Sequence, residues 1–379
     1  MFIKRTHYLQ KIEKEFEIHP IVGLLGPRQC GKTTLAKRFQ AKHKPAYLFD
    51  LEDPDDLAAL ENPKMVLESL DGLIIIDEIQ RRPGLFPYLR TLADKKKTQI
   101  LILGSASRDL INQSSESLAG RIGYVILSPF SLDEVKTLQL RELWLKGGFP
   151  RSFLTQSDQN SYRWRKAYIS TFLERDIPNL GIKIPATTLR RFWLMLAHYH
   201  GQILNCSELG KSFGIADTTV RHYIDILTDT FMVRQLQPWI DNLKKRQIKS
   251  PKLYIRDSGI FHTLQGIETY KSLLSHPKLG ASWEGFALET VLSHFSVSQE
   301  DVYFWGVHSQ CDLDLYFRLG SKKIGVEFKF TDQPQLSAEA DKIKSYLKLN
   351  HLYYIYPGKK VFKLAKDITA CGLSLLHNL

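Results

Sequence analysis

The stretch IVGLLGPRQCGKTTLAKRF, residues 21–39, decides the fold. Ile21–Leu25 is an apolar run of strand length, and from Thr33 the pattern turns helical. Between them Gly26, Pro27, Arg28, Gln29, Cys30, Gly31, Lys32 and Thr33 fit G-x-x-x-x-G-K-[ST], and Thr34 carries the chain into the helix. The two glycines let the backbone curl so that its N–H groups and the helix N-terminus face a polyphosphate. Lys32 brings a charge to the terminal phosphates, and the Thr33 hydroxyl can ligate Mg²⁺. Residues 26–34 are therefore expected to hold ATP with Mg²⁺.

Working outward, further strands are expected at Tyr47–Asp50, Leu73–Asp77, Gln99–Gly104 and Tyr124–Leu127, with helical patterns at Thr33–Gln40 and Leu85–Ala93. This alternation predicts an α/β fold with a parallel sheet covered on both faces. The strand Leu73–Asp77 is wholly apolar until it ends in two carboxylates. Asp77 suits the outer shell of the metal, and Glu78 can polarise the water that attacks the γ-phosphate.

The 379 residues are too many for one ordinary domain. No run approaches the ~20 apolar residues a membrane span needs, and the N-terminus lacks a secretory leader's apolar core. Four scattered cysteines, Cys30, Cys206, Cys311 and Cys371, form no Cys-x-x-Cys pair. A disulfide framework and a zinc finger are thus not expected, and a reducing cytoplasm is. Lys and Arg number 52 against 40 Asp and Glu. Residues 183–256 hold 12 basic and 5 acidic side chains, whereas residues 257–379 hold 13 of each. So local an excess points to a polyanion contact in the middle of the chain.

The glycine loop, the phrase IIIDEIQ (74–80), a strand ending in Gly104-Ser105 and the run SLAGR (117–121) resemble the AAA+ P-loop ATPases. With GGFPRS (147–152) and FLERDI (172–177), the chain is similar to a bacterial and archaeal family whose ATPase domain precedes a largely uncharacterised C-terminal region. By that resemblance Ser105 corresponds to the sensor residue between the Walker-B strand and the nucleotide. Arg121 corresponds to an arginine finger reaching a neighbour's γ-phosphate, which implies a homo-oligomer. The resemblance and the patterning together divide the chain into an ATPase core (1–130), a helical lid (131–184), a winged-helix domain (185–275) and a C-terminal domain (276–379).

In residues 203–237, Ser207 can cap a short helix, Gly214 makes a tight turn, and Asp217 or Thr218 can cap a second helix. Val220, Tyr223, Ile224 and Leu227 fall at core spacing. Thr218, Thr219, Arg221 and His222 stay on the outer side. This is similar to the helix-turn-helix of a winged helix, with Phe231–Leu236 as the first wing strand, and implies DNA as partner. Such modules also bind proteins. Lys244, Lys245, Arg246 and Lys249 are the expected phosphate contacts, and Arg190, Arg191 and Lys252 add to the field.

Toward the C-terminus a helix at Trp283–His294 carries Glu284 and Glu289, and the hairpin Leu313–Leu319 and Lys323–Phe330 carries Asp314, Glu327 and Lys329. Strand alternation points Glu327 and Lys329 to one face beside Asp314. A carboxylate pair can hold a divalent cation, and a neighbouring lysine can orient the attacking water. The pattern resembles the restriction-endonuclease-like fold, with Asp314 and Glu327 as metal ligands, Lys329 beside them and Glu284 or Glu289 as the helical acid. Three functions follow: an ATP hydrolase acting on DNA, branched or damaged DNA among it; a nucleotide-gated switch for a protein partner; or an ATP-gated, metal-dependent nuclease.

Overall fold

The computed structural model describes residues 3–95, 98–104, 117–135, 137–240, 248–307 and 311–379. Ser105, Lys244, Lys245 and Arg246 lie outside the described residues. The chain divides into two units, one of residues 1–130 with 229–231, the other of residues 131–228 with 232–379. No helix among the described residues is long and apolar enough to cross a membrane.

The first unit is a five-stranded sheet of β1 (Ile21–Leu25), β2 (Ala46–Asp50), β3 (Leu73–Asp77), β4 (Gln99–Gly104) and β5 (Ile122–Ile126). Its spatial order is β2-β3-β4-β1-β5 and every pairing is parallel. Strand alternation sorts the apolar side chains into two cores. Val22, Leu24, Ile75, Leu101 and Leu103 pack on one face against Leu35, Ala36 and Phe39 of the helix Lys32–Lys42. Ile21, Leu25, Ile74, Ile76, Ile100 and Ile102 pack on the other against Phe86, Leu89 and Leu92 of the helix Phe86–Lys95. Burial on both faces is why β1 and β3 read as unbroken apolar runs.

One local expectation shifts, and one element is new. The last strand starts at Ile122, two residues before the expected Tyr124, because Ile122 pairs with Ile21 although Gly123 interrupts the apolar run. The N-terminal residues form a helix, Thr6–Phe16, that seats Tyr8, Leu9 and Ile12 in the first core.

The second unit combines a helical layer with a nine-stranded sheet. Its strands are β6 (Gln202–Ile203), β7 (Val233–Pro238), β8 (Lys252–Ile255), β9 (Val302–Val307), β10 (Cys311–Leu319), β11 (Lys322–Phe328), β12 (His351–Tyr356), β13 (Val361–Ala365) and β14 (Ile368–Gly372). They run in the order β13-β14-β12-β11-β10-β9-β7-β8-β6. A short parallel pairing, Gln237 with Tyr303 and Pro238 with Phe304, joins β7 to β9. The sheet therefore runs without a break from the basic middle of the chain into the C-terminal carboxylates.

In the middle, the helix Cys206–Phe213 is capped by Asn205, which accepts from Glu208 N at 3.2 Å; the expected cap, Ser207, lies inside the helix. Gly214, at φ 66°, ends it in the left-handed conformation. The next helix, Asp217–Asp229, seats Val220, Ile224 and Leu227 in the core. The strand expected at Phe231–Leu236 is β7, two residues later.

Two buried polar knots hold this unit. Arg165 is fully buried, and its Nη1 donates to Ser161 Oγ (2.7 Å) and Lys146 O (3.1 Å) while Nε donates to Thr263 Oγ1 (2.7 Å). Beside it, Asp257 accepts from Gly148 N (2.8 Å) and Ile260 N (2.9 Å), capping the helix Ser258–Leu264. Gly147 has φ 73°, and a Cβ there would overlap the Asp257 carboxylate. The GGFPRS phrase is thus a packing motif. In the second knot, Glu289 on the helix Leu279–Phe295 takes a forked pair from Arg234 of β7, Nε at 2.5 Å and Nη2 at 3.0 Å, with Arg256 Nη2 at 3.5 Å. Burial pushes the Glu289 carboxyl up, but Arg234 and then Arg256 outweigh it and hold it at about 2.

Gly147→Ala should cost roughly 2 kcal/mol or more through overlap and a strained φ, whereas Gly280→Ala, with open space around its Cβ, should be neutral or slightly stabilising. Thermal unfolding of the two variants checks this, and equal melting temperatures would refute it. Glu289→Gln removes the forked counter-charge of the buried Arg234, at a cost on the order of 3 kcal/mol at neutral pH. Because the folded carboxyl sits below its ordinary 4.5, its stabilisation is complete above that pH and is lost as pH falls toward about 2. The stability gap between wild type and variant should close over that window; a constant gap would show that the ion pair is not its source.

Candidate functional site

At the C-terminal edge of the parallel sheet, the loop after β1 leads directly into the helix Lys32–Lys42, which starts without a side-chain cap. Its leading N–H groups therefore face the loop. Gly26 is required by close approach, since a Cβ would overlap the Leu127 carbonyl. Gly31 is required by its backbone, at φ 103°, with open space where a side chain would be. Cys30 is buried, its Sγ 3.6 Å from Leu127 O, and Pro27 is buried too; Gln29 and Thr34 are exposed. Lys32 is buried and donates from Nζ to Gly26 O (2.9 Å) and Pro27 O (3.0 Å). Thr33 Oγ1 donates to Asp77 Oδ2 at 2.6 Å, closing the loop onto the end of β3.

Glu78 follows in a left-handed conformation, φ 54°. Gln80 Nε2 donates to its Oε2, and Arg28, itself bonded to Glu52 Oε1 at 2.6 Å, lies 4.0 Å from its Oε1. Burial raises both Asp77 and Glu78, opposed at Asp77 by the Thr33 hydrogen bond and at Glu78 by the charges of Lys32 and Arg28. Open space over Gly31, an uncapped helix start, a buried lysine and a hydroxyl–carboxylate pair together fit a nucleoside triphosphate with a hard divalent cation. The sequence names Arg28 only as part of the glycine loop and Gln80 only within IIIDEIQ; their contacts to Glu78 depend on its left-handed backbone.

Arg121 sits elsewhere. Its carbonyl accepts from Ile21 N at 3.1 Å, so it marks the N-terminal edge of β1 and β5. The loop follows the other end of β1, about 16 Å away at ~3.3 Å per residue. The guanidinium forks onto Asp94, Nε at 2.6 Å and Nη2 at 3.0 Å. Arg121 and its own phosphate loop thus occupy opposite edges of the sheet.

In the second unit, Asp314, Glu327 and Glu284 converge, and Glu289 is committed to its arginines instead. Asp314 Oδ2 accepts from Phe328 N at 3.0 Å, and Glu327 Oε2 pairs with Lys329 Nζ at 2.8 Å. Glu284 Oε1 accepts from Tyr254 OH at 2.6 Å. Between the carboxylates lies a residue counted from sequence among the surface charges: Lys252, whose Nζ is 3.2 Å from Asp314 Oδ1, 3.8 Å from Glu284 Oε1 and 3.9 Å from Asp312 Oδ2. Burial lowers Lys252, but those three charges more than reverse it. Burial, then the Asp314 charge, raises Glu284 and Glu327. Among the described residues no group of three or more His, Cys, Asp or Glu is arranged to hold a metal ion. The alternation of Lys252 and Tyr254 along β8 was the available signal that both face one site.

On the helix Asp217–Asp229, Thr218, Arg221 and His222 are exposed and Thr219 is half-buried; Lys249 is exposed on the loop before β8. Arg190 bonds Ser170 Oγ at 2.7 Å, and Arg191 lies 5.3 Å from the Phe213 ring centre.

Comparison with known proteins matches residues 18–136 to an AAA domain, residues 137–271 to a Domain of unknown function (DUF8612) and residues 279–376 to a Domain of unknown function (DUF4143). Uncharacterized proteins of Mycobacterium tuberculosis and Mycobacterium bovis are each 45% identical over 372 residues, covering 98% of this chain and 84% of theirs. An uncharacterized protein of Haemophilus influenzae is 23% identical over 290 residues, 68% of this chain and 72% of its own. Among solved structures, a Walker-type ATPase of Pyrococcus abyssi is 16% identical with a TM-score of 0.49, covering 70% of this chain and 96% of that one. The chain belongs to the same family as the mycobacterial proteins, and within it carries an AAA domain of P-loop ATPase fold followed by two domains of unknown function.

Proposed function

We propose that this protein is a cytoplasmic, Mg²⁺-dependent ATP hydrolase whose nucleotide state drives binding or remodelling of DNA, branched or damaged DNA included. The observation that carries it is the Thr33–Asp77 contact, which sets a glycine loop, a buried lysine and two acids around one edge of the sheet. In this reading the backbone of residues 26–34 cradles the phosphates and Lys32 leaves its loop carbonyls for the terminal ones. Thr33 and Asp77 hold the cation, whose charge stabilises the transferring phosphoryl group when bound. Glu78 orients the attacking water; burial raises its carboxyl, and the charges of Lys32 and Arg28 oppose that rise. Ser105 senses the γ-phosphate.

Arg121 faces away from its own loop, so as a finger it serves a neighbour, and the active form is a homo-oligomer. The four segments 1–130, 131–184, 185–275 and 276–379 act as core, lid, winged helix and C-terminal module. The winged-helix reading draws support from the helix–turn–helix of Cys206–Phe213 and Asp217–Asp229 followed by antiparallel β7 and β8, with β6 on β8. Its DNA face comprises Thr218, Thr219, Arg221 and His222, with Lys244, Lys245, Arg246 and Lys249 on phosphates. The second reading, a switch for a protein partner, gains weight from Lys252, which is withdrawn from the basic surface.

Lys32→Ala should abolish ATP binding, whereas Glu78→Gln should keep binding and lower turnover at least ~100-fold. Normal hydrolysis by Glu78→Gln would show that another group handles the water. Arg121→Ala and Lys32→Ala, each inactive alone, should regain part of the turnover when mixed, because the mixed assembly pairs an intact loop with an intact finger; no recovery would rule out the finger in trans. ATP turnover should rise with linear, single-stranded or four-way-junction DNA and lose that rise at moderate salt. A flat response puts the partner switch ahead.

A further inference from the structure

The C-terminal carboxylates have the composition of a divalent-cation site and the surroundings of something else. Every inward-facing acid is already engaged by a donor of this chain: Asp314 by Lys252 and Phe328 N, Glu284 by Tyr254 OH, and Glu327 by Lys329. Lys252 is the central element. Its side chain is only 8% exposed, and three carboxylates stand within 4 Å of the one ammonium. Its flank is apolar as well, with the Phe304 ring 5.5 Å from Nζ. Lys252 and Tyr254 both come from β8, two residues apart, so the strand's alternation delivers both donors into the same site. A divalent cation bound to Asp314 and Glu284 would sit against that ammonium, and like charges a few ångströms apart in a buried site repel strongly.

We infer that the ammonium of Lys252 takes the place of a divalent cation among Asp314, Glu284 and Asp312, making the cluster a metal-free junction that fastens β8 to the helix Leu279–Phe295 and the β10–β11 hairpin. The C-terminal module is then no metal-dependent nuclease, although its acids and Lys329 match the pattern. The junction ties the exposed Lys249 segment, three residues before Lys252, to the C-terminal part of the sheet, so that this loop and the C-terminal part move as one body. The inference is independent of the nucleotide reading and does not fall with it.

The test is titration of the nucleotide-free, full-length protein with Mn²⁺, following the free-ion signal by electron paramagnetic resonance. Wild type and Asp314→Asn should give the same curve. Lys252→Met should gain one bound Mn²⁺ per chain, lost again in Lys252→Met/Asp314→Asn, whereas Lys252→Arg should behave as wild type. A wild-type Mn²⁺ ion that Asp314→Asn abolishes would overturn the inference. So would Mg²⁺- or Mn²⁺-dependent cleavage of plasmid or four-way-junction DNA that depends on Asp314. A folded Lys252→Met protein that binds no Mn²⁺ would equally overturn it, since the vacated charge would then not be a cation's. If Lys252→Met fails to fold, the comparison of wild type with Asp314→Asn still decides.

Discussion

The hydrogen bond from Thr33 to Asp77 joins residues 44 apart in sequence, and the nucleotide site depends on it. The sheet order makes it possible. β1 and β3 flank β4, so the loop after β1 and the acids ending β3 stand on either side of one crevice at the strands' C-terminal edge. Such a crevice in a parallel sheet is where backbone N–H groups lie unpaired and ligands find them. The two strands that carry the site hold that geometry from the interior of the sheet, β1 and β3 being completely buried. Asp77 and Glu78 are thus carried on a rigid edge, where burial raises both and neighbouring donors and cations draw them back. Their ionisation rests on a balance that the phosphates and their cation would change directly.

The second unit treats buried charge the opposite way. Arg165 and Lys252 lie in its interior and Glu289 is half-buried, and each bonds to partners in the same chain. Taking such groups out of water costs several kcal/mol apiece unless attraction and hydrogen bonds offset it. At Glu289 and Lys252 ion pairs offset it, so these two groups specify which strands meet which helix: Glu289 selects β7 and Lys252 selects β8. That places the helix Leu279–Phe295 against the middle strands. The same specificity closes the acids to a further cation, which distinguishes an interior salt bridge from a binding site of similar composition.

What the sequence made legible follows from the range of the interactions involved. The glycine loop, the apolar strands β1, β3 and β4 and the helix after the loop are local patterns, and their bounds match to within a residue or two. The N-terminal helix is short and rich in charged residues, so its apolar stripe reduces to Tyr8, Leu9 and Ile12 and makes a weak pattern in the sequence. GGFPRS stood out as wording without a reason, since the reason is Asp257, over a hundred residues away. The helical acid was left between Glu284 and Glu289 for the same cause: each is chosen by a cation on a distant strand. Joining β7 to β9 by two residue pairs leaves no mark on either segment's composition.

Charge counting shows the same limit most sharply. The basic excess of residues 183–256 points to a local polyanion contact, yet composition counts a charge wherever it sits. Lys252 is buried among acids, Arg234 and Arg256 share Glu289, Arg190 lies 3.7 Å from Glu174, and Arg191 lies against a phenylalanine ring. Among the described residues, exposed Arg221 on the helix and Lys249 on the loop are what the proposed DNA face retains of its named cations. Counterion release scales with the phosphates neutralised, so a contact resting on these and on the segment 244–246 has a shallower salt slope than the composition implies. In the proposed homo-oligomer, with Arg121 acting on a neighbour, several such weak contacts would act together.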